Sequence, residues 1–137
     1  MKNAAFGLYA ILLVSLSFTA CKKDVQKAFD DEISATWASQ SVKVDASDVS
    51  SVYTFNIALR EDHTFTLKTT TRNPFTQETA TNTNTGNWSS DEATQAVTLN
   101  FDNAPTQTWK ISNLTESGMT AQYTDETAHK YEIAFGR

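Results

Sequence analysis

Few side chains in this chain of 137 residues have the chemistry and the spacing of a functional site. The single cysteine, Cys21, excludes an internal disulfide, and the two histidines, His63 and His129, leave too few ligands for an ordinary zinc site. Asp91 and Glu92 are adjacent in one turn, so they cannot flank a substrate as the carboxylate pair of a glycosidase does. The chain also lacks a serine–histidine–aspartate pattern and a glycine-rich phosphate loop. We therefore expect neither an enzyme nor a bound cofactor or metal.

The two histidines and an acidic run have structural interpretations. His63 stands at the tip of a predicted hairpin, and histidine tolerates the left-handed backbone of such a tip better than most residues do. His129 precedes the last predicted strand, so we expect it to be exposed. The three acids at 30–32 lack the alternating spacing and the glycine of a calcium-binding loop. They indicate a solvated segment.

The charge of the chain excludes one class of partner. Lys and Arg number 11 against 16 Asp and Glu, which gives a formal net charge of −5 at pH 7. An acidic chain with scattered lysines repels phosphate groups. We therefore expect no nucleic-acid partner.

The first 20 residues have the layout of a secretory signal. Lys2 supplies one positive charge, an apolar run from Ala4 to Val14 follows, and residues 15–20 are rich in small side chains. The apolar run is shorter than the about 20 residues that a membrane-spanning helix needs. Residues 1–20 are therefore interpreted as a signal peptide.

The end of this signal resembles the lipobox of bacterial lipoproteins. In Phe18-Thr19-Ala20-Cys21 the last three residues match the motif, and Phe18 stands where leucine is usual. The resemblance implies that the Cys21 thiol is acylated, so that it would incorporate palmitate, and that cleavage occurs in front of it. Ordinary signal cleavage with a free cysteine is the alternative. Two or more acyl chains hold a protein durably on a membrane, since each buried methylene contributes about 0.8 kcal/mol.

The segment after the signal continues this resemblance. Residues 21–24, Cys-Lys-Lys-Asp, resemble the mature start of Bacteroidetes lipoproteins, which implies a lipid anchor at the cell outer membrane, on its periplasmic or its surface face. Val25, Phe29 and Ile33 are spaced by four and would share one face of a short helix. Residues 21–33 are therefore interpreted as the lipidated cysteine and a short, solvated tether.

From residue 34 onward, apolar and polar side chains alternate with a period of two. This period is typical of strands with one dry and one wet face, and the many threonines and aromatic residues favour strands. The clearest alternating segments are 53–59, 64–68, 97–101, 108–111, 119–123 and 130–135, with weaker ones at 36–44 and 79–88.

About eight strands with short connections predict an antiparallel up-and-down β-barrel over residues 34–137. Short links make consecutive strands antiparallel neighbours, and closure into a barrel removes the exposed edges. A two-sheet sandwich is the alternative, although it normally needs longer crossing connections. The outward positions carry Thr, Asn, Lys and Glu, which argues against a membrane-spanning barrel.

Four segments, taken in order, resemble the small lipocalin-like domains of Bacteroidetes lipoproteins. Ala35 and His63 stand where that family has glycine, in its opening Gly-x-Trp region and in its first hairpin. The resemblance implies an up-and-down barrel with the form of a calyx. The segments are 33–37, 59–67, 86–89 followed by 97–101, and 109–115.

The aromatic side chains of this domain are too many to be exposed in a small stable fold. They either fill the barrel core or line a ligand cavity, since pockets are mainly apolar. The residues are Trp37, Tyr53, Phe55, Phe65, Trp88, Phe101, Trp109, Tyr123, Tyr131 and Phe135.

One predicted strand bears on this choice. Residues 79–86 offer no large apolar side chain on either face, so they either leave an opening for a ligand or form a frayed segment near the barrel mouth. Asn82 and Asn84 share the parity of Gly86 and Trp88, which predicts that they point inward if Trp88 does. The candidate ligand-binding residues are Tyr53, Phe55, Asn82, Asn84, Trp109 and Tyr131.

Two functions remain open from the sequence. The protein is either a lipid-anchored envelope protein that binds a small apolar ligand in the barrel, or a non-catalytic envelope interaction module that docks a partner through its loops. A continuous cavity reached past residues 79–86 favours ligand binding, and a filled barrel interior favours the interaction module.

Overall fold

The computed structural model describes the backbone of residues 17–137 and the side chains of residues 25–137. Most of the predicted signal peptide, and the side chain of Cys21, lie outside the described residues. A helix, α1, is followed by nine strands in the described part of the chain. Their bounds are α1 Ser17–Ile33, β1 Thr36–Val44, β2 Ser47–Asp48, β3 Tyr53–Leu59, β4 Thr64–Arg72, β5 Thr79–Asp91, β6 Ala96–Phe101, β7 Gln107–Ser112, β8 Gly118–Thr124 and β9 Lys130–Gly136. No helix within residues 17–137 combines the length and the apolar character that crossing a membrane requires.

The strands form one closed antiparallel barrel. Each strand from β3 to β9 pairs with its neighbour in sequence, β1 pairs with β3, and a β1–β9 pairing closes the ring. The two-residue β2 pairs only with β1, so eight strands make up the wall. The structure confirms the predicted up-and-down barrel and excludes the two-sheet sandwich.

Inward side chains of all eight wall strands form a single core. The alternating burial along β3 and β6 follows the predicted period of two, because a pleated strand sends successive side chains to opposite faces. Ile57, Leu99, Ala121 and Ile133 are fully buried at its centre.

A β-bulge in β1 interrupts the alternation. The register with β9 shifts between Ser39 and Ser41, so Gln40 is an extra residue without its own partner. As a result Trp37 and Val42, which a strict period of two would send to opposite faces, are both buried in the core.

Helix α1 packs across one end of the barrel, which we call the helix end. Phe29 and Ile33 are buried in the core, and the Trp37 Nε1–H donates a hydrogen bond of 2.9 Å to the Ile33 carbonyl. The Glu92 backbone N–H donates to the Gln26 side-chain oxygen at 2.9 Å, which ties the helix to the β5–β6 turn. This part of the predicted tether is therefore packed rather than solvated, because its apolar face covers the barrel core.

The opposite end, which we call the open end, carries a projecting hairpin. Residues 70–83 of strands β4 and β5 form this hairpin, which we call the ribbon: its β4 side still pairs with β3 as far as Thr71, whereas its β5 side extends beyond the end of β6. Residues 79–83 are exposed on both faces. Phe75 at the tip of this ribbon is 93% exposed. Residues 79–83 thus form a regular paired strand beyond the barrel rather than a frayed segment of its wall.

Trp88 and His63 confirm two predictions at the helix end. Trp88 is buried inside the wall, and its Nε1–H donates to the Arg60 carbonyl at 2.9 Å. His63 has a φ of 62°, which is the left-handed conformation expected at this hairpin tip. Its ring stacks on Trp88 with the ring centroids 4.6 Å apart.

Candidate functional site

The inward aromatic side chains near the open end form a continuous ladder across four strands. Trp109 stacks on Tyr123 at 5.3 Å between ring centroids, and Tyr123 stacks on Tyr131 at 4.7 Å with the planes 5° apart. Phe55 meets Tyr131 edge-on at 6.4 Å, and Phe135 lies 6.0 Å from Trp109 on the core side. Cross-strand pairing positions the tyrosines, since Tyr123 is the direct partner of Tyr131 in the β8–β9 ladder.

The six candidate ligand-binding residues fall into three groups by depth. Phe55 and Trp109 belong to the buried core, and Trp109 keeps only 1% of its surface exposed. Tyr53 and Tyr131 are partly buried and pack against that core from the open end.

The two asparagines lie at and beyond the rim. Asn84 pairs with Leu67 and Asn82 pairs with Thr69, on the same face of the sheet as Gly86 and Trp88. Both asparagines therefore share the face of Trp88, as their parity predicts, but the prediction that Asn82 points into the barrel is wrong. Asn84 is half-buried, whereas Asn82 is exposed because it lies on the ribbon, where no opposite wall faces it.

Side chains fill the interior of the described barrel beneath this rim. A residue that lines a ligand-sized cavity keeps part of its surface accessible to water, but Trp109, Leu99 and Ile57 are at most 1% exposed. An eight-stranded barrel is about wide enough to be filled by side chains or to hold one small ligand. The aromatic set therefore serves mainly as core, and accessible aromatic surface remains at the open end on Tyr53, Phe101, Tyr123 and Tyr131.

The tyrosines of the ladder stay neutral over the physiological pH range. Burial raises the pKa of Tyr123 far above its usual range, and the neighbouring phenol of Tyr131 adds to this effect. Burial also raises the pKa of Tyr131, with the nearby Asp125 carboxylate as the next cause. Both side chains therefore present a flat apolar ring with a neutral hydroxyl, which suits stacking and hydrogen bonding rather than proton transfer.

A depression of about 500 Å³ lies on the outer wall next to the open end. One outward cross-strand row supplies much of its lining, and in that row the Lys43 ammonium lies 3.2 Å from Glu132. Lys110 and Lys130 add positive charge to the same depression, which Tyr131 also lines. An acidic group on a ligand at the open end would find these lysines within the same stretch of surface. The lining residues are Lys43, Ala46, Lys110, Gln122, Tyr123, Thr124, Lys130, Tyr131 and Glu132.

A second polar contact at the open end was not foreseen from the sequence. The His129 Nδ1 lies 2.6 Å from the Asp45 carboxylate, and the Lys130 backbone N–H donates to the same carboxylate at 2.9 Å. Asp45 has a φ of 49°, within the turn that follows β1. His129 is exposed as predicted, but the partners are 84 positions apart in the sequence, so no local pattern indicated the pair. The contact links two loops of the open end.

The described residues provide no arrangement that indicates catalysis. His63 stacks on Trp88 and His129 pairs with Asp45, so both histidines have structural contacts. Among the described side chains, those of residues 25–137, no three His, Asp or Glu groups converge as metal ligands do.

The strand order and the filled core define this chain as a closed, eight-stranded up-and-down β-barrel protein, the architecture that the lipocalin-like resemblance implies. Among solved structures it is similar to bovine odorant binding protein, in a deswapped triple mutant, with 9% sequence identity and a TM-score of 0.48. That similarity covers 77% of this chain and 74% of the bovine chain. No protein-family model matches the sequence, and no curated protein is significantly similar to it.

Proposed function

We propose that this protein is a lipid-anchored binding protein of the cell envelope that takes a small, partly apolar ligand at the open end of its barrel. One observation carries the proposal. Tyr53 and Tyr131 face inward yet remain partly exposed at the open end, whereas the core beneath them is closed. The ligand therefore binds against the rim and not deep in the barrel.

The chemistry of the rim defines the ligand class. The parallel rings of Tyr123 and Tyr131 leave part of their surface exposed at the open end, and a flat apolar group of a ligand can pack against that surface. Neutral tyrosine hydroxyls and the Asn84 amide offer hydrogen bonds, and Lys130 offers positive charge. A flat apolar molecule with one polar or acidic group fits these features. Phe55 and Trp109 are the buried members of the ladder and fix the positions of the two tyrosines by packing against them.

The anchor is compatible with access to this rim. Cys21 belongs to α1, and the C-terminal half of α1 packs across the helix end. Acylation of Cys21 would place the helix end towards the membrane. The open end would then face away from the lipid, where a soluble ligand or partner can reach it.

Tryptophan fluorescence tests binding at the rim. The chain has three tryptophans, and Trp109 belongs to the ladder, whereas Trp37 and Trp88 lie at the helix end. Titration of the full chain with the flat anionic dye anilinonaphthalene sulfonate is expected to quench the emission of Trp109. The Trp109 contribution is obtained by comparison with Trp109→Phe.

Matched variants locate the dye. Tyr131→Ala is expected to weaken dye binding by about tenfold, because one stacked aromatic contact contributes up to about 1.5 kcal/mol. Val25→Ala removes an exposed apolar side chain from the helix end, opposite the ladder, and is expected to leave the affinity unchanged. Absence of quenching specific to Trp109, or an equal loss of affinity in both variants, would contradict the rim site.

The filled interior favours a second candidate, an interaction module that docks a protein partner through the loops of the open end. Native mass spectrometry of the chain purified from its own envelope separates the candidates. A retained small molecule supports ligand binding at the rim. A chain without one, whose Trp109 also fails to respond to the dye, supports the docking module.

A further inference from the structure

Strand β5 is longer than the partner on one of its sides. It pairs with β4 from Thr79 to Asn87, but with β6 only from Gly86 to Asp91. Residues 79–84 therefore have one paired edge and one edge that no strand in the described part of the chain covers. We call this second side the free edge.

The hydrogen bonds on either side of β5 show which backbone groups the free edge presents. The Trp88 backbone N–H donates to the His63 carbonyl at 2.7 Å, and the Asn73 backbone N–H donates to the Glu78 carbonyl at 2.8 Å. Both bonds are in register with the β4–β5 ladder. These bonds show that the backbone N–H and C=O groups of the even-numbered residues of β5 face β4, because the residues of an antiparallel strand direct these groups alternately to its two sides. The backbone groups of the odd-numbered residues face away from β4. Accordingly, the Thr85 carbonyl accepts a hydrogen bond of 3.0 Å from the Asp102 backbone N–H. Thr79, Thr81 and Thr83 therefore turn their N–H and C=O groups to the free edge.

The free edge lacks the features that usually block strand pairing. Natural edge strands carry lysine, proline, a bulge or an inward charge, or are very short. The segment 79–84, Thr-Ala-Thr-Asn-Thr-Asn, has neither charge nor proline, and its register with β4 runs without a shift. It is regular, uncharged and exposed, which is the form of edge that accepts an added strand.

We propose that the free edge pairs with the free edge of a second copy of this chain, antiparallel, with Thr81 on the two-fold axis. In that register Thr81 lies opposite Thr81 of the second copy, and Thr79 lies opposite Thr83. All three are residues whose backbone groups face the edge, so each pair exchanges two hydrogen bonds. The edge is thus complementary to itself, as a two-fold interface requires.

The side chains also suit pairing between copies. Threonine pairs are favourable across antiparallel strands, and within the ribbon the Thr70 and Thr81 hydroxyls already lie 2.9 Å apart. The nearest charge on the strand, Glu78, lies outside the paired segment, so residues 79–83 carry no charged side chain in either copy.

The same register accounts for the exposed ring at the ribbon tip. Thr85 of the other copy accepts from its own Asp102, so the pairing ends with Thr79 opposite Thr83, and the chain that precedes Thr79 passes the point where β6 of that copy ends. The tip that carries Phe75 therefore comes to the open end of the second barrel, next to the loop after Phe101. An aromatic ring that is 93% exposed in the single chain would gain a neighbouring surface there.

Sedimentation velocity of the full chain in detergent tests the proposal. The unmodified chain is expected to form a dimer. Thr81→Lys places two like charges opposite each other on the axis and is expected to weaken dimerisation by at least about tenfold. Thr66→Lys puts the same charge on the outer face of β4, within the barrel wall, and is expected to leave the dimer intact.

A charge-pair rescue separates loss of the interface from loss of folding. Mixing Thr81→Lys with Thr81→Glu places opposite charges on the axis and is expected to restore a dimer that contains one chain of each kind. A chain that remains monomeric, a dimer unaffected by Thr81→Lys, or a mixture that fails to dimerise would overturn the proposal. So would a peptide from another protein that occupies the edge of a monomeric chain.

Discussion

At the scale of single residues, Trp88 has the most complete set of contacts at the helix end. It is 2% exposed, donates to the Arg60 carbonyl and lies against the His63 ring. Trp88→Ala is expected to lower the free energy of unfolding by about 3–5 kcal/mol, the usual cost of removing a buried tryptophan. Thermal denaturation followed by circular dichroism measures the effect, with Trp88→Phe as the milder control. A shift of a degree or so would contradict the burial.

The Asp45–His129 pair predicts a pH dependence. The hydrogen bond that the His129 ring donates to the Asp45 carboxylate is the main cause that raises the pKa of His129 above its ordinary value of 6.5. The Lys130 backbone N–H, followed by His129, lowers the pKa of Asp45. A raised histidine pKa stabilises the fold below the unfolded-state value, and this stabilisation is lost as the pH rises through the folded-state value. A lowered aspartate pKa stabilises the fold above about pH 4, and this is lost in acid.

The unmodified chain is therefore expected to lose more thermal stability than His129→Gln between about pH 6 and about pH 9. The difference is small because both side chains are about half-exposed. In NMR titrations, Asp45→Asn is expected to return the His129 pKa towards its ordinary value. An unchanged His129 titration in that variant would argue against the pair.

At the scale of elements, the apolar face of helix α1 is packed against the barrel at one position and exposed at another. Phe29 is 5% exposed and Val25, one turn earlier, is 48% exposed. Phe29→Ala is expected to cost about 3 kcal/mol or more, whereas Val25→Ala should be nearly neutral. Urea denaturation of the two variants measures the difference. Equal, small effects would instead describe α1 as a tether independent of the barrel.

The wall elements were largely predictable from the sequence because pairing and burial impose a local period. The parity of Trp88 and Gly86, the left-handed His63 and the sequential strand order follow from residues close together in the chain. The bulge at Gln40 was not predictable, since one extra polar residue between serines leaves no pattern. The spacing of Phe29 and Ile33 indicated an apolar face but not which surface would cover it.

The depth of the candidate site could not be predicted from the sequence either. Whether Trp109 lines a cavity or fills one depends on the summed volumes of side chains from eight strands, which no local pattern encodes. The projection of β5 beyond the wall depends on where β6 stops, and therefore on the relative lengths of two strands. Ligand contacts by Tyr53 and Tyr131 stay predictions.

At the scale of the whole molecule, the proposed anchor depends on one thiol. The chain has a single cysteine, so Cys21→Ala is expected to abolish incorporation of radioactive palmitate and to release the protein from the membrane fraction or leave it uncleaved. Labelling of growing cells measures the first effect and membrane fractionation the second. Cys21→Ala protein that still carries the label would contradict acylation at this position.

The β1–β9 pairing has a consequence for the order of events during folding. Every other wall contact joins strands next to each other along the chain, and such hairpins close quickly because little chain entropy is lost. Joining Ala38 to Gly136 spans almost the whole domain and cannot begin before β9 has emerged. In the export that we propose for this chain, β1 would cross the membrane early, and the edge of β1 that pairs with β9 would have no partner until translocation was nearly finished. The exposed edge of β1 would need protection from pairing with other chains until β9 arrives and covers it.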